Sequence, residues 1–187
     1  MKRWFPLAGL ALLAGCGHSP PTHFFTLDPA PPKAPAASRL AHPVRLGAVH
    51  IPPALDRPEL VTKPSANRLS IDEQNQWAAP LGDMIRRTLA QDLLARLPSG
   101  SFLAPDAPRG GGAEVLTVDI LALDAAPGGQ VHADIAWSLL APDGKPRLTR
   151  QARLDAPGGS EPGAQAAAIS TILGHLADDI AAALGGS

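Results

Sequence analysis

The chain has 187 residues, with 16 Lys and Arg against 17 Asp and Glu, a formal charge of −1 and 45% apolar residues. That length suits one domain with its own core plus a tail, and the near-neutral charge lacks the basic footprint of a nucleic-acid binder. A single cysteine, Cys16, excludes an internal disulfide framework and a multi-cysteine zinc site.

Lys2 and Arg3 precede an uncharged, mostly apolar run from Trp4 to Leu13, the plan of a secretory signal peptide over residues 1–15. The run is shorter than the roughly 20 residues that a membrane-spanning helix needs. It ends in Leu13, Ala14, Gly15 and Cys16. This aliphatic, small, small, cysteine order is a lipobox: small residues admit a peptidase, and the thiol accepts a diacylglyceryl group. An incidental free cysteine at this place would leave a lone secreted thiol without a role. Lipidation, with palmitate among the acyl chains, supplies one, since each buried methylene contributes about 0.8 kcal/mol to anchoring. Cleavage leaves 172 residues with a formal charge of −3. The only aromatics left are Phe24, Phe25, Trp77, Phe102 and Trp137, so aliphatic side chains must build the core.

Residues 16–43 read as a lipidated cysteine followed by a tether, because the stretch is rich in Pro, Ala and Ser, a composition that favours extended, poorly packed chain. Within it His23 to Leu27 is apolar enough for a short edge strand. Residues 44–187 read as the globular domain. Val44 to Ile51 alternates, with a phase slip at Ala48 and Val49 that suggests a bulge. Glu59 to Lys63 and Asn67 to Asp72 form a predicted hairpin around Pro64 to Asn67.

From Trp77 to Leu97 the period changes to that of a helix: Leu81, Ile85, Leu89, Leu93 and Leu97 recur every four residues. Pro80 fits its first turn, Pro98 and Gly100 end it, and Arg86, Arg87, Gln91, Asp92 and Arg96 fall to the solvated face. Gly110 to Gly112 read as a loop, because no Lys-Ser/Thr pair follows. Val115 to Leu123, Val131 to Leu140 and Arg147 to Leu154 follow as a three-strand meander, with Pro142 to Lys145 as a turn. Pro162 to Leu184 carries Ile169, Ile172, Leu173, Leu176, Ile180 and Leu184 on one helical face. The order strands, helix, strands, helix predicts a single α/β or α+β domain. It would have about five to six strands in one sheet with two amphipathic helices packed on it. Parallel and antiparallel pairings are left open.

The six histidines form no metal-binding spacing, and no Gly-x-Ser-x-Gly elbow or His-Glu-x-x-His motif is present. No catalytic residue, metal or cofactor is therefore expected. Asp178 and Asp179 are adjacent on a helix and point about 100° apart, which suits a solvated face. The segment Ile51 to Lys63 stands out because it concentrates Pro52, Pro53 and Pro58 with Asp56 and Arg57 in one connection between strands. It reads either as a rigid loop with a local ion pair or as one that also meets a partner.

These residues carry a family resemblance. Ile51-Pro52, Leu55-Asp56-Arg57-Pro58, Leu60-Val61-Thr62, Asn67-Arg68-Leu69 and Trp77-Ala78 with Pro80-Leu81 resemble the signature of the PqiC/YmbA-type ABC-type transport auxiliary lipoproteins. Phe25-Thr26-Leu27-Asp28 and the lipobox are similar too. Residues 98–115 depart from the pattern, being Pro/Gly-rich in place of a recognisable strand. The resemblance implies a lipid-anchored, periplasm-facing accessory subunit that catalyses nothing. It would dock to a mammalian-cell-entry (MCE) domain protein of an ABC transport system moving lipids or other hydrophobic molecules between inner and outer membranes, with self-assembly left open. Leu55, Asp56, Arg57 and Pro58 are the candidate partner-binding residues, and Trp77 is expected in the core. Gly17 in place of an Asp after the lipidated cysteine favours the outer membrane. The competing readings are a general envelope lipoprotein assisting assembly of another outer-membrane complex, and an envelope hydrolase, which would need a nucleophile and base that the sequence does not display.

Overall fold

The computed structural model describes residues 20–33, 40–105, 107, 112–127 and 129–185. Two sheets and two helices make up the domain. The larger sheet has the order β5–β2–β6–β7–β8, from β2 (Val44–His50), β5 (Phe102–Leu103), β6 (Glu114–Ala125), β7 (Gln130–Leu140) and β8 (Pro146–Pro157). The smaller has the order β1–β4–β3, from β1 (His23–Phe25), β3 (Glu59–Ser65) and β4 (Arg68–Trp77). Helix α1 (Leu81–Arg96) lies between the β3/β4 hairpin and β5, and α2 (Pro162–Gly185) closes the chain.

The mixed α/β class and the element order match the sequence reading, but eight strands in two sheets replace five to six in one. The strand not expected is β5, of two residues, while β1, of three, is the short edge strand expected within His23 to Leu27; both pair parallel, to β4 and β2 respectively. The two-residue β5 stands in the Pro/Gly-rich stretch after α1. The hairpin pairs with β1 and stays out of the larger sheet, whose inner strand β6 is paired on both sides, by β2 and β7.

Alternation explains the larger sheet. Leu116, Val118 and Ile120 of β6 and Val131, Ala133, Ile135, Trp137 and Leu139 of β7 are buried, every second residue. In β2 the phase slip is a bulge, with the register to β6 shifting between Leu46 and Val49. Gly47 sits there because a Cβ would lie 2.7 Å from Val115 Cγ1. A second bulge interrupts β6 between Ile120 and Ala122, and Leu121, at that place on the outer face, is 58% exposed.

Both helices cover one face of this sheet, α1 against β2 and α2 against β7 and β8, and they pack on each other. Ile85, Leu89 and Leu93 from α1 meet Ile172, Leu173, Leu176 and Ile180 from α2 in one core. Each such side chain contributes about 1.5–3 kcal/mol relative to exposure. Although α2 is apolar and long enough to cross a membrane by length and composition, 61% of its most apolar window is buried within the domain. It is a core helix. Helix α1 begins later than its periodicity predicts, because Trp77 still belongs to β4 and donates its N–H to Pro58 O at 2.7 Å. Pro80 is its N-cap.

Two residues assigned by sequence to the solvated face of α1 are instead buried: Asp92 at 0% and Arg96 at 1% exposure. What buries them is part of the tether. Leu27 is in the core, and Thr88 Oγ1 donates to its carbonyl at 3.3 Å. Ala30 N–H donates to Asp92 Oδ1 at 2.8 Å. The Arg96 guanidinium donates to Asp178 Oδ1 (2.6 Å), to the carbonyls of Ala30 (3.1 Å) and Pro31 (3.3 Å), and to Asp92 Oδ1 (3.2 Å). Residues 27–31 thus lie fastened across both helices, and Asp178, read as solvated, is the outer partner of this hub. Gly174 admits the close approach, since a Cβ there would lie 2.5 Å from Ala30 Cβ.

Candidate docking site

The segment from Ile51 to Glu59 is held by short-range bonds. Pro52 begins a single 3-10 turn, Pro53–Leu55, in which Leu55 N–H donates to Pro52 O (2.9 Å) and Asp56 N–H to Pro53 O (3.2 Å). Prolines at 52, 53 and 58 fix three φ angles, so the loop is rigid before any partner arrives.

Leu55 is half-buried and packs on the core. Asp56 and Pro58 are exposed. Arg57 Nε donates to Glu59 Oε2 at 2.8 Å, so its partner is Glu59 and not Asp56. That hydrogen bond holds the Glu59 carboxyl below the ordinary carboxylate range. The pair is solvent-accessible, so it sets the position of the guanidinium more than it stabilises the fold. The Asp56 carboxylate has no hydrogen bond or ion pair among the described residues. The four candidate residues therefore present one apolar side chain, one unpaired carboxylate, one oriented guanidinium and one proline.

Beside them runs a shallow groove of about 170 Å³, walled by Pro52, Ala54 and Leu55 on one side and by Val61, Lys63 and Leu69 of the hairpin on the other, with Leu121 and Leu123 of β6 in its lining. Lys63 Nζ bonds Asp124 Oδ2 at 2.6 Å across the gap between hairpin and β6. Neither Leu69 nor Leu121 is among the partner-binding residues expected from sequence. Leu69 stands there in the Asn67-Arg68-Leu69 motif, and Leu121 lies within a predicted strand, on its outer face by alternation.

Other polar clusters lie on the larger sheet. His50 Nδ1 meets Asp119 Oδ1 at 2.7 Å. His132 Nδ1 meets Asp155 at 2.8 Å and its Nε2 faces Asp134 at 3.4 Å. The hydrogen bond that His132 donates to Asp155 when protonated raises the His132 pKa above its ordinary 6.5, and the one from Arg153 lowers that of Asp134. Both ring nitrogens of His132 face carboxylates, so neither is placed to accept a proton from a nucleophilic hydroxyl. No group of three or more potential metal ligands comes together among the described residues. Trp77 is buried at 5% exposure, and Cys16 lies outside the described residues.

The family model for the ABC-type transport auxiliary lipoprotein component matches residues 25–181. Among solved structures, a crystal structure described as that of an uncharacterized protein superposes with a TM-score of 0.66 at 18% identity, covering 89% of this chain and 98% of the other. A protein from Xanthomonas campestris superposes at 0.65 and 17% identity, covering 88% and 95%. At those identities the likeness concerns the fold. No curated protein matches the chain at a significant level.

Proposed function

The chain belongs to the family of ABC-type transport auxiliary lipoproteins, and on that footing we propose that it is a non-enzymatic docking subunit of an MCE-type transport system carrying lipids or other hydrophobic molecules between the two membranes. It is a membrane-anchored lipoprotein of the envelope. Lipid on Cys16, with palmitate among its chains, holds it at the periplasmic face of the outer membrane, and the MCE-domain protein is its partner.

The observation that carries the docking role is the preorganised loop at Leu55 to Pro58. Its backbone is fixed by three prolines and a 3-10 turn, so little conformational entropy is lost on binding. Half-buried Leu55 beside the groove supplies an apolar anchor, while Asp56 and Arg57 supply a charged rim, the division found in specific interfaces.

A mild-detergent pull-down with the lipidated mature protein tests this, repeated with Leu55, Asp56 and Arg57 changed to alanine. Recovery of an MCE-domain protein that the triple variant loses is the expected result. Recovery of a different envelope complex by both forms would overturn the transport assignment in favour of an assembly role elsewhere.

A further inference from the structure

We infer that the β3/β4 hairpin, with the exposed apolar side chains Leu69 and Ile71 and the neighbouring Leu121, rests on the phospholipid surface that holds the anchor; this depends on the lipidation of Cys16.

The reach of the chain supports the inference. Because residues 23–25 are paired with β4 and residues 28–30 are fastened to the helices by Arg96, Asp92 and Ser170, the length of chain between anchor and domain is not the whole proline-rich stretch. It is the seven residues from Cys16 to His23, which extend at most about 25 Å. A domain of this size has a radius of gyration of about 15 Å, so the bilayer lies nearer than the domain is wide.

Strand direction says which end lies near. β1 runs parallel to β4, with His23 beside Asn75 and Phe25 beside Trp77. The chain thus enters β1 from the side of Asp72 and the hairpin turn at Ser65 and Arg68. From Asn75 back to Arg68 is about 23 Å of strand, within that maximum extension.

Surface chemistry agrees. The described residues include five exposed large hydrophobics, and three of them, Leu69 (47%), Ile71 (44%) and Leu121 (58%), lie together here. Leu69 and Leu121 line one groove, and Ile71 pairs with Val61 of that groove across the hairpin. Single exposed leucines need no explanation, whereas a cluster does. Charges beside it are mixed: Lys63 with Asp124, Arg68, Asp72 and Glu73. The contact is therefore apolar and holds at high salt. Glu59 pairs with Gln76 at the opposite end of the sheet, about 20 Å along the strand from the turn. Arg57, bonded to Glu59, is held toward that end, while Leu55 walls the groove itself.

The test uses the lipidated mature protein in phosphatidylethanolamine/phosphatidylglycerol vesicles, with an environment-sensitive fluorophore on Leu69→Cys, Leu121→Cys, Phe24→Cys or Leu94→Cys. Phe24 and Leu94 are also exposed, but Phe24 sits beside Gln76 at the far end and Leu94 on α1. Labels at 69 and 121 are expected to shift to the blue and to be quenched by nitroxide-bearing lipid several-fold more than those at 24 and 94, with no change on adding salt. Equal quenching at all four positions would overturn the orientation. So would a blue shift at 69 without lipid quenching, which would assign the patch to a protein partner or a second copy. Label uptake by Cys16 in the unsubstituted protein would show a free thiol and remove the anchor itself, an outcome distinct from the other two.

Discussion

Replacing Arg96 with methionine keeps much of the side-chain volume but removes the charge at the centre of the hub. Arg96 is 1% exposed and Asp92 0%, so the change strands a buried carboxylate and leaves the carbonyls of Ala30 and Pro31 without the donor that now reaches them. Breaking a buried pair from one side costs about 3–5 kcal/mol, a large part of the roughly 5–15 kcal/mol that hold a typical domain. Urea unfolding of the mature protein is expected to show the unfolding free energy falling by that amount, as a lower midpoint at an unchanged slope. Trypsin should cut faster after Lys33, just beyond the pinned residues. The deficit should shrink on acidification. Burial raises the Asp92 pKa above its ordinary 3.8, so the folded state takes up a proton more readily than the unfolded one. This group's penalty is present at neutral pH and is relieved as pH falls through the folded pKa toward 3.8. Without Arg96 that pKa rises further. Asp92→Asn in the Arg96→Met background should recover part of the loss. A loss under about 1 kcal/mol, the scale of a surface ion pair, would refute the hub.

Gly174→Ala should destabilise the protein, although alanine is the better helix former by about 1 kcal/mol. The added Cβ meets Ala30 Cβ at 2.5 Å, and overpacking costs about 1–3 kcal/mol; a rise in melting temperature with unchanged cleavage after Lys33 would contradict this. NMR titration should place the His132 pKa above 6.5, with Asp155→Asn bringing it down, because the Asp155 hydrogen bond is the leading cause of the shift. The stability this gives is present below pH 6.5 and is lost as pH rises through the folded value. With a third of the ring exposed, solvent screening keeps it small, and an unchanged titration in Asp155→Asn would disprove the assignment.

What was legible in the sequence was what has a local signature. Both helices show in their periodicity, the meander in its turn at Pro142 to Lys145, and the bulge of β2 in the phase slip near Val49. Parallel pairings were not legible, because no turn joins β1 to β4 or β5 to β2. Asp92 and Arg96 stand four residues apart on a helix, the spacing of an ordinary surface pair. Their burial depends on the backbone of Ala30 and Pro31, more than sixty residues away. A glycine at 174 inside an otherwise well-formed helix was the available hint that another chain segment approaches there. Of the docking site, the proline-bracketed Leu55 to Pro58 was visible as a motif. The groove beside it was not, since it arises where a hairpin of one sheet meets a bulge of another.

The most direct test of the docking role is a photo-crosslinking residue placed at Asp56 in the full-length chain in living cells, with Leu94 on α1 as the comparison site. A crosslink from position 56, absent from 94, to a subunit of an ABC transport system is the expected result, and the MCE-domain protein is the subunit expected. Crosslinks from 56 only to proteins outside any such system, or the same products from both positions, would contradict it.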